Sequence, residues 1–200
     1  MKKTLKRKKE SFFIRNYREV WQYIKDSRNF IYSVIIIFLF FALFGFFLPT
    51  PAILETKILE YIEQLLGQTE GLSQAELIKF IFLNNLESSF TSLLFGVLLG
   101  IFPIFGAIAN GYVIGFVASR TIDSNGFLIL WRLFPHGIFE LPALFISLGL
   151  GVKLGTFIFE KNSLKSLEIY GIKSIKAFFL VILPLLIIAA IIEGSLIFLS

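Results

Sequence analysis

Three ionisable side chains stand inside one apolar run, RLFPHGIFELPAL, residues 132–144. Arg132, His136 and Glu140 are spaced i, i+4, i+8, so an unbroken helix would carry them on one face. A histidine and a carboxylate one turn apart could supply two metal ligands. Zinc sites take three or four, with a second shell that fixes them. His136 is the chain's only histidine, there is no Cys, and no HExxH pair occurs. No Ser–Lys or Ser–His pairing of suggestive spacing accompanies it. The sequence therefore predicts no enzyme, no metal, no cofactor and no catalytic residue.

The surroundings give the run its meaning. Hydrophobic residues make up 56% of the chain, charged residues 16%, and 25 of 200 residues are Phe; the mean hydropathy is +0.80. Apolar stretches of about 20 residues recur, the length that crosses a bilayer. The predicted class is all-α: a polytopic helical membrane protein with about five transmembrane helices and amphipathic interfacial helices. The lipid bilayer is then its first partner. The net charge of +5 reads as basic cytoplasmic segments beside anionic lipid, and no nucleic-acid partner is expected.

Residues 1–28 form a basic cytoplasmic segment, with ten Lys and Arg against Glu10, Glu19 and Asp26. Within it Phe13, Tyr17, Val20, Trp21 and Ile24 make one helical stripe, and Trp21 and Tyr23 are expected at headgroup level. The membrane domain is 29–200, with spans at about 29–48, 79–101, 103–119, 127–150 and 177–199. A tight turn at Phe102 and Pro103 must join the second and third; a single broken helix is the alternative. Residues 49–77, rich in Glu, read as one or two amphipathic helices on the outer surface. RTIDSNG (120–126) and the Lys-rich 151–175 read as loops. Basic loops stay inside, so five spans put the N-terminus in the cytoplasm and the C-terminus outside.

Ionisable groups in spans are costly unless paired or wetted. They are Glu87, Arg132, His136, Glu140 and Glu193, joined by Asn84, Asn85 and Asn110. At about 1.5 Å rise per residue, Arg132, Glu193 and Glu87 lie about 8, 9 and 12 Å from the outer ends of their spans, and His136 and Asn110 about 14 Å down. Arg132 is expected to pair with Glu193 or Glu87. Pro135, Gly137 and Pro142 predict a polar hinge or re-entrant elbow in span four. The GxxxG pairs Gly96/Gly100 and Gly111/Gly115 predict close intramolecular helix packing.

Three function classes compete. An intramembrane metal enzyme lacks ligands. A small transporter or channel subunit could use a midplane cavity around His136, Glu140 and Asn110, but no repeat is evident. A scaffold would use the polar cluster to set one helix arrangement and a surface to recruit partners.

FPHGIFELPA, with Pro135, His136, Gly137 and Glu140, resembles the PHGxxE signature of the stage II sporulation protein M (SpoIIM) family. Asn84-Asn85, Asn110-Gly111-Tyr112 with Gly115, and IIAAIIEG with Glu193 are similar to further family features. The likeness covers residues of roughly 30–199. It implies a five-span integral membrane protein of the cytoplasmic membrane that organises other membrane or envelope proteins. In spore formers it implies binding the peptidoglycan-degrading proteins SpoIIP and SpoIID. A homo-oligomer is compatible with it. It brings no catalytic residues, only a polar membrane core at the motif positions.

Overall fold

The computed structural model describes residues 12–125 and 134–199, with the side chains of 123–125 and 134–136 left aside. Among the described residues every regular element is helical. They are α1 (Phe12–Asp26), α2 (Arg28–Phe47), α3 (Ala52–Thr69), α4 (Gln74–Leu94), α5 (Ile101–Asn125), α6 (Phe134–Gly155), α7 (Ser163–Ala177) and α8 (Leu183–Leu199).

Four helical stretches are long and apolar enough to cross a membrane: Arg28–Phe47, Ile101–Ile122, Gly137–Phe159 and the 37-residue run Ser163–Leu199. The chain is a multi-pass membrane protein. The remaining expected span is α4. It runs back alongside α5 and packs between α6 and α8, but Asn84, Asn85 and Glu87 lower its apolar character.

Several boundaries differ from the sequence reading. The reversal between α4 and α5 lies at Leu98–Gly100, ahead of Phe102 and Pro103. Leu99 and Gly100 both take left-handed backbone (φ 59° and 70°), which turns the chain within three residues. Pro103 sits in the first turn of α5, where its missing N–H costs nothing. Ser92 lies beside Gly106 across the turn, so these are two antiparallel helices and the broken-helix alternative is excluded. RTIDSN continues α5 to Asn125. The expected loop 151–175 is helical for most of its length, ending α6 and forming α7. At about 1.5 Å per residue, Ser163–Leu199 spans about 55 Å, nearly twice a bilayer core. Its first part, α7, therefore stands clear of the hydrocarbon.

The hinge expected in span four is absent from the described part. Pro135 falls in the first turn of α6, where proline is tolerated, and the helix continues through Pro142 to Gly155.

α6 is the central helix, packed against α2, α4, α5 and α8. Leu148, Leu150 and Ala143 are fully buried on it. Val34, Phe38, Ala107, Leu144 and Leu148 form the core of α2, α5 and α6. Leu93, Leu150, Phe178, Ile182 and Leu186 join α4, α6 and α8 toward the α1/α7 end. Glycines bring the backbones together. A Cβ at Gly111 or Gly115 would fall on the carbonyl of Phe38 or Ala42 in α2, and one at Gly96 on Gly151 of α6. Both GxxxG pairs thus pack within the chain.

α1 lies on α7 through Val20, Tyr23 and Ile24. Tyr23 is 3% exposed, and its hydroxyl is 3.0 Å from Ser174 Oγ and donates to the Tyr170 carbonyl at 3.3 Å. It is a buried packing residue, where the sequence reading put it at the headgroups; Trp21 and Phe13 remain exposed. A π-helical turn, Phe178–Ile182, precedes α8. Pro184 has no N–H for the carbonyl four residues back, at Leu180. The Tyr17 hydroxyl donates to that carbonyl at 2.8 Å, so α1 satisfies the group the proline leaves open.

Gly115→Ala is expected to cost about 1–3 kcal/mol, since it drives a Cβ into backbone, whereas Gly67→Ala and Gly171→Ala meet open space and should be neutral or slightly stabilising; thermal unfolding in detergent reads both. Burial pushes the Tyr23 phenol up to about 12 from 10.0. The folded chain therefore favours the neutral phenol, and stability is full below pH 10 and falls between pH 10 and about 12. Tyr23→Phe should flatten that alkaline loss.

Candidate functional site

The expected polar cluster is divided among three places. Asn84 and Asn85 on α4, Asn110 on α5 and Glu140 on α6 line one cavity of about 110 Å³, together with Tyr61, Ser88, Ser89 and Leu144. Helical spacing explains the α4 contribution: 84, 85, 88 and 89 recur every three to four residues on one side. The Asn110 Nδ2 donates to the Gly106 carbonyl at 2.8 Å, which fixes its amide. One step away, the buried Ser147 Oγ on α6 donates to the Ser89 carbonyl at 2.6 Å, tying α6 to α4. Glu140 is half-buried and its Oε2 is fully enclosed.

Glu87 lies elsewhere. With Asn84, Ser88, Thr91 and Ser92 it lines an open groove of about 420 Å³ along α4. Asn84, Glu87, Ser88 and Thr91 are all exposed. The sequence reading placed Glu87 inside the bundle. The structure turns it outward, because α4 uses Leu77, Ile81, Ser89 and Leu93 as its buried side. Asn84 and Ser88 border both spaces, so groove and cavity adjoin.

Glu193 belongs to neither. Its neighbour Gly194 packs on Ile78, and Ser195 accepts from Gln74 at 3.1 Å, which puts it beside the first turns of α4; its Oε2 is buried. Arg132, and with it the expected pairing to Glu193 or Glu87, lies outside the described residues. His136 is on α6 one turn before Glu140, and its side chain also lies outside the described set. Among the described residues no group of three His, Cys, Asp or Glu is placed to hold a metal.

The model of one family, stage II sporulation protein M, matches residues 34–196. The chain belongs to that family. A relative, the uncharacterized protein MJ0706 of Methanocaldococcus jannaschii, is 28% identical over 177 residues, covering 86% of this chain and 79% of that protein. No solved structure matches. The family stretch contains every described residue that lines the cavity and begins after α1.

Among the described residues, three polar cavity residues and Leu144 were absent from the sequence-predicted set; the polar ones are Tyr61, Ser88 and Ser89. Ser88 and Ser89 stand four residues after Asn84 and Asn85, a helical repeat that marks them in the sequence. Tyr61 had no such signal. It comes from α3, and only the fold of α3 back over α4 and α5 brings it there.

Ser147→Ala leaves the buried Ser89 carbonyl without its hydroxyl. A loss of about 0.6–1.7 kcal/mol is expected in unfolding measurements, the range for hydrogen bonds between membrane helices, and Ser147→Thr should restore part of it.

Proposed function

We propose that this protein is a non-enzymatic membrane anchor that organises partner proteins at the cytoplasmic membrane, in the service of envelope remodelling. The outward polar face of α4 carries the reading. Asn84, Glu87, Ser88 and Thr91 are exposed at the depth of a membrane-spanning helix. Hydrocarbon cannot satisfy such groups, and a carboxylate facing lipid costs several kcal/mol by order of magnitude. A membrane-embedded segment of another protein, with hydrogen-bonding side chains at the same depth, suits that face. A second copy of the chain is one such segment, and peptidoglycan-degrading envelope proteins are the class to which the family points.

The charge distribution supports an N-terminus in the cytoplasm and a C-terminus outside. Arg15, Arg18, Lys25, Lys153, Lys161, Lys165, Lys173 and Lys176 gather at the α1/α7 end, while Glu55, Glu60 and Glu63 lie on α3 at the other, with Glu70 just after it. Basic residues favour the inner side. α3 buries only Ile58 and is tied to α5 by the Glu55–Arg120 ion pair. That leaves it open to a partner at the outer surface. A second reading, a small transporter subunit, draws on the polar cavity.

The chain has no Cys, so single cysteines can be placed freely. Ser88→Cys and Thr91→Cys in native membranes should cross-link to defined membrane proteins, while Ile36→Cys on the exposed side of α2 should not. Glu87→Leu should weaken co-purification of the same proteins. Cysteines at 88 and 91 that cross-link to nothing and react freely with a membrane-impermeant thiol reagent would sink the anchor reading and favour a water-filled groove.

A further inference from the structure

We infer that α1 is a lipid-binding helix: its exposed aromatic stripe sits among the acyl chains at the edge of one leaflet, and Arg15 and Lys25 beside that stripe, with Lys153 and Lys173, hold anionic phospholipid headgroups. This surface is distinct from the groove on α4 and is independent of the anchor reading.

Depth comes first. α1 runs antiparallel to α7 and the turn that follows it. The Tyr23 hydroxyl meets Ser174 and Tyr170, Lys176 reaches Asn16 and Glu19, and the Tyr17 hydroxyl meets the Leu180 carbonyl. The apolar run that carries those partners ends at Leu199. A hydrocarbon core of about 30 Å takes roughly 20 helical residues, so the core begins near Leu180. Tyr17 therefore stands at the hydrocarbon margin, where tyrosine and tryptophan collect. Phe12, Phe13 and Ile14 lie about 5–8 Å deeper along the helix, which is how far the apolar face of an interfacial helix enters a leaflet. Tyr23 lies about 9 Å from Tyr17 in the opposite direction, at headgroup level.

Exposure agrees with this depth. Phe12, Phe13, Ile14, Tyr17 and Trp21 are between 51% and 70% exposed. Phe13, Tyr17 and Trp21 recur at i, i+4, i+8, next to the buried side made by Val20, Tyr23 and Ile24. Arg15 and Lys25 follow next around the helix, and Glu19 and Asp26 fall on the far side. The order around α1 is thus protein, hydrocarbon, positive charge.

Charge selects the lipid. The Arg15 guanidinium lies 5.9 Å from the Phe12 ring centre and Lys25 Nζ 5.7 Å from that of Trp21. At headgroup level Lys153 Nζ and Lys173 Nζ lie 4.4 and 5.6 Å from the Tyr23 ring centre. Among the described residues, nine Lys and Arg stand at this end against four carboxylates. Three of the four are engaged: Glu19 by Lys176, Asp26 by Gln22 and Glu160 by Tyr170. A phospholipid of net negative charge matches the excess. An acidic soluble partner would meet the lysines but leave Phe12, Phe13 and Ile14 uncovered below them.

The test uses the full chain with Trp131→Phe, which leaves Trp21 as the only indole. The protein is placed in nanodiscs of phosphatidylcholine with a fixed share of phosphatidylglycerol, and bromine is carried on the acyl chains of one lipid or the other. Both brominated lipids should quench Trp21, and the phosphatidylglycerol about two-fold or more strongly for the same bromine content. That preference should shrink in about 0.5 M NaCl and disappear in Arg15→Gln/Lys153→Gln/Lys173→Gln; the salt arm decides if the triple variant fails to fold. A tryptophan moved to position 13 (Phe13→Trp with Trp21→Phe) should be quenched by bromines farther down the acyl chain than Trp21 is. Quenching of Trp21 by aqueous iodide and by neither brominated lipid would overturn the inference and leave this face to a soluble partner. Equal quenching by the two brominated lipids at low salt would also overturn it, as would a preference that survives both salt and the substitutions.

Discussion

α6 packs against α2, α4, α5 and α8, and the rest of the bundle is arranged around how closely they approach it. Gly149 admits Ile31 of α2, Gly151 admits Pro103 and the backbone of α4, and Gly155 meets Gly100 and Gly96 at the α4–α5 turn. Each is a place where one methyl group would push helices apart. Lipid tails are as apolar as leucine, so burial alone gives helices little reason to associate inside a bilayer. Close packing and interhelical hydrogen bonds have to do it. The glycine contacts of α6, the same device between α2 and α5, and the Ser147–Ser89 bond are those forces in this chain.

That arrangement also governs the polar groups. α6 presents Glu140 toward α4 and α5, and those helices answer with Asn85, Ser89 and Asn110. α4 carries more polar side chains than its buried side can take, and the surplus, from Asn84 to Thr91, faces outward. One helix thus serves two purposes, lining a small polar cavity on one side and an open groove on the other. For this same reason α4 is less apolar than the other long helices.

The two ends of the bundle are built differently. At the α1/α7 end, α8 is extended by α7, and α1 is fixed there by specific bonds: Tyr23 to Ser174 and Tyr170, and Tyr17 to the carbonyl that Pro184 leaves open. Lys176 adds contacts to Asn16 and Glu19. At the other end, α3 is held by Ile58, by the Glu55–Arg120 pair and by the Tyr112–Thr50 bond that anchors its start. One end is a fixed basic platform and the other a lightly attached acidic helix.

The sequence by itself determined the class, the approximate spans and the family. Lipid imposes a length and an apolarity on every crossing helix, and the PHGxxE stretch, the paired asparagines and the glycines lie in the linear chain for anyone to read. It also set Glu87, His136 and Asn110 at related depths, since depth follows from helical rise. The direction in which each group points was decided only by the tertiary structure. Glu87 and Asn85 are two residues apart, yet one faces the open groove and the other the polar cavity, because the rotation of α4 is set by its packing on α6 and α8. Tyr61 could reach the cavity only once α3 folded back on the bundle. Tyr23, expected at the lipid surface, is buried because residues 163–177 are a helix for α1 to pack on, where a loop was expected. Periodicity states which residues share a face. What that face meets is a property of the neighbours.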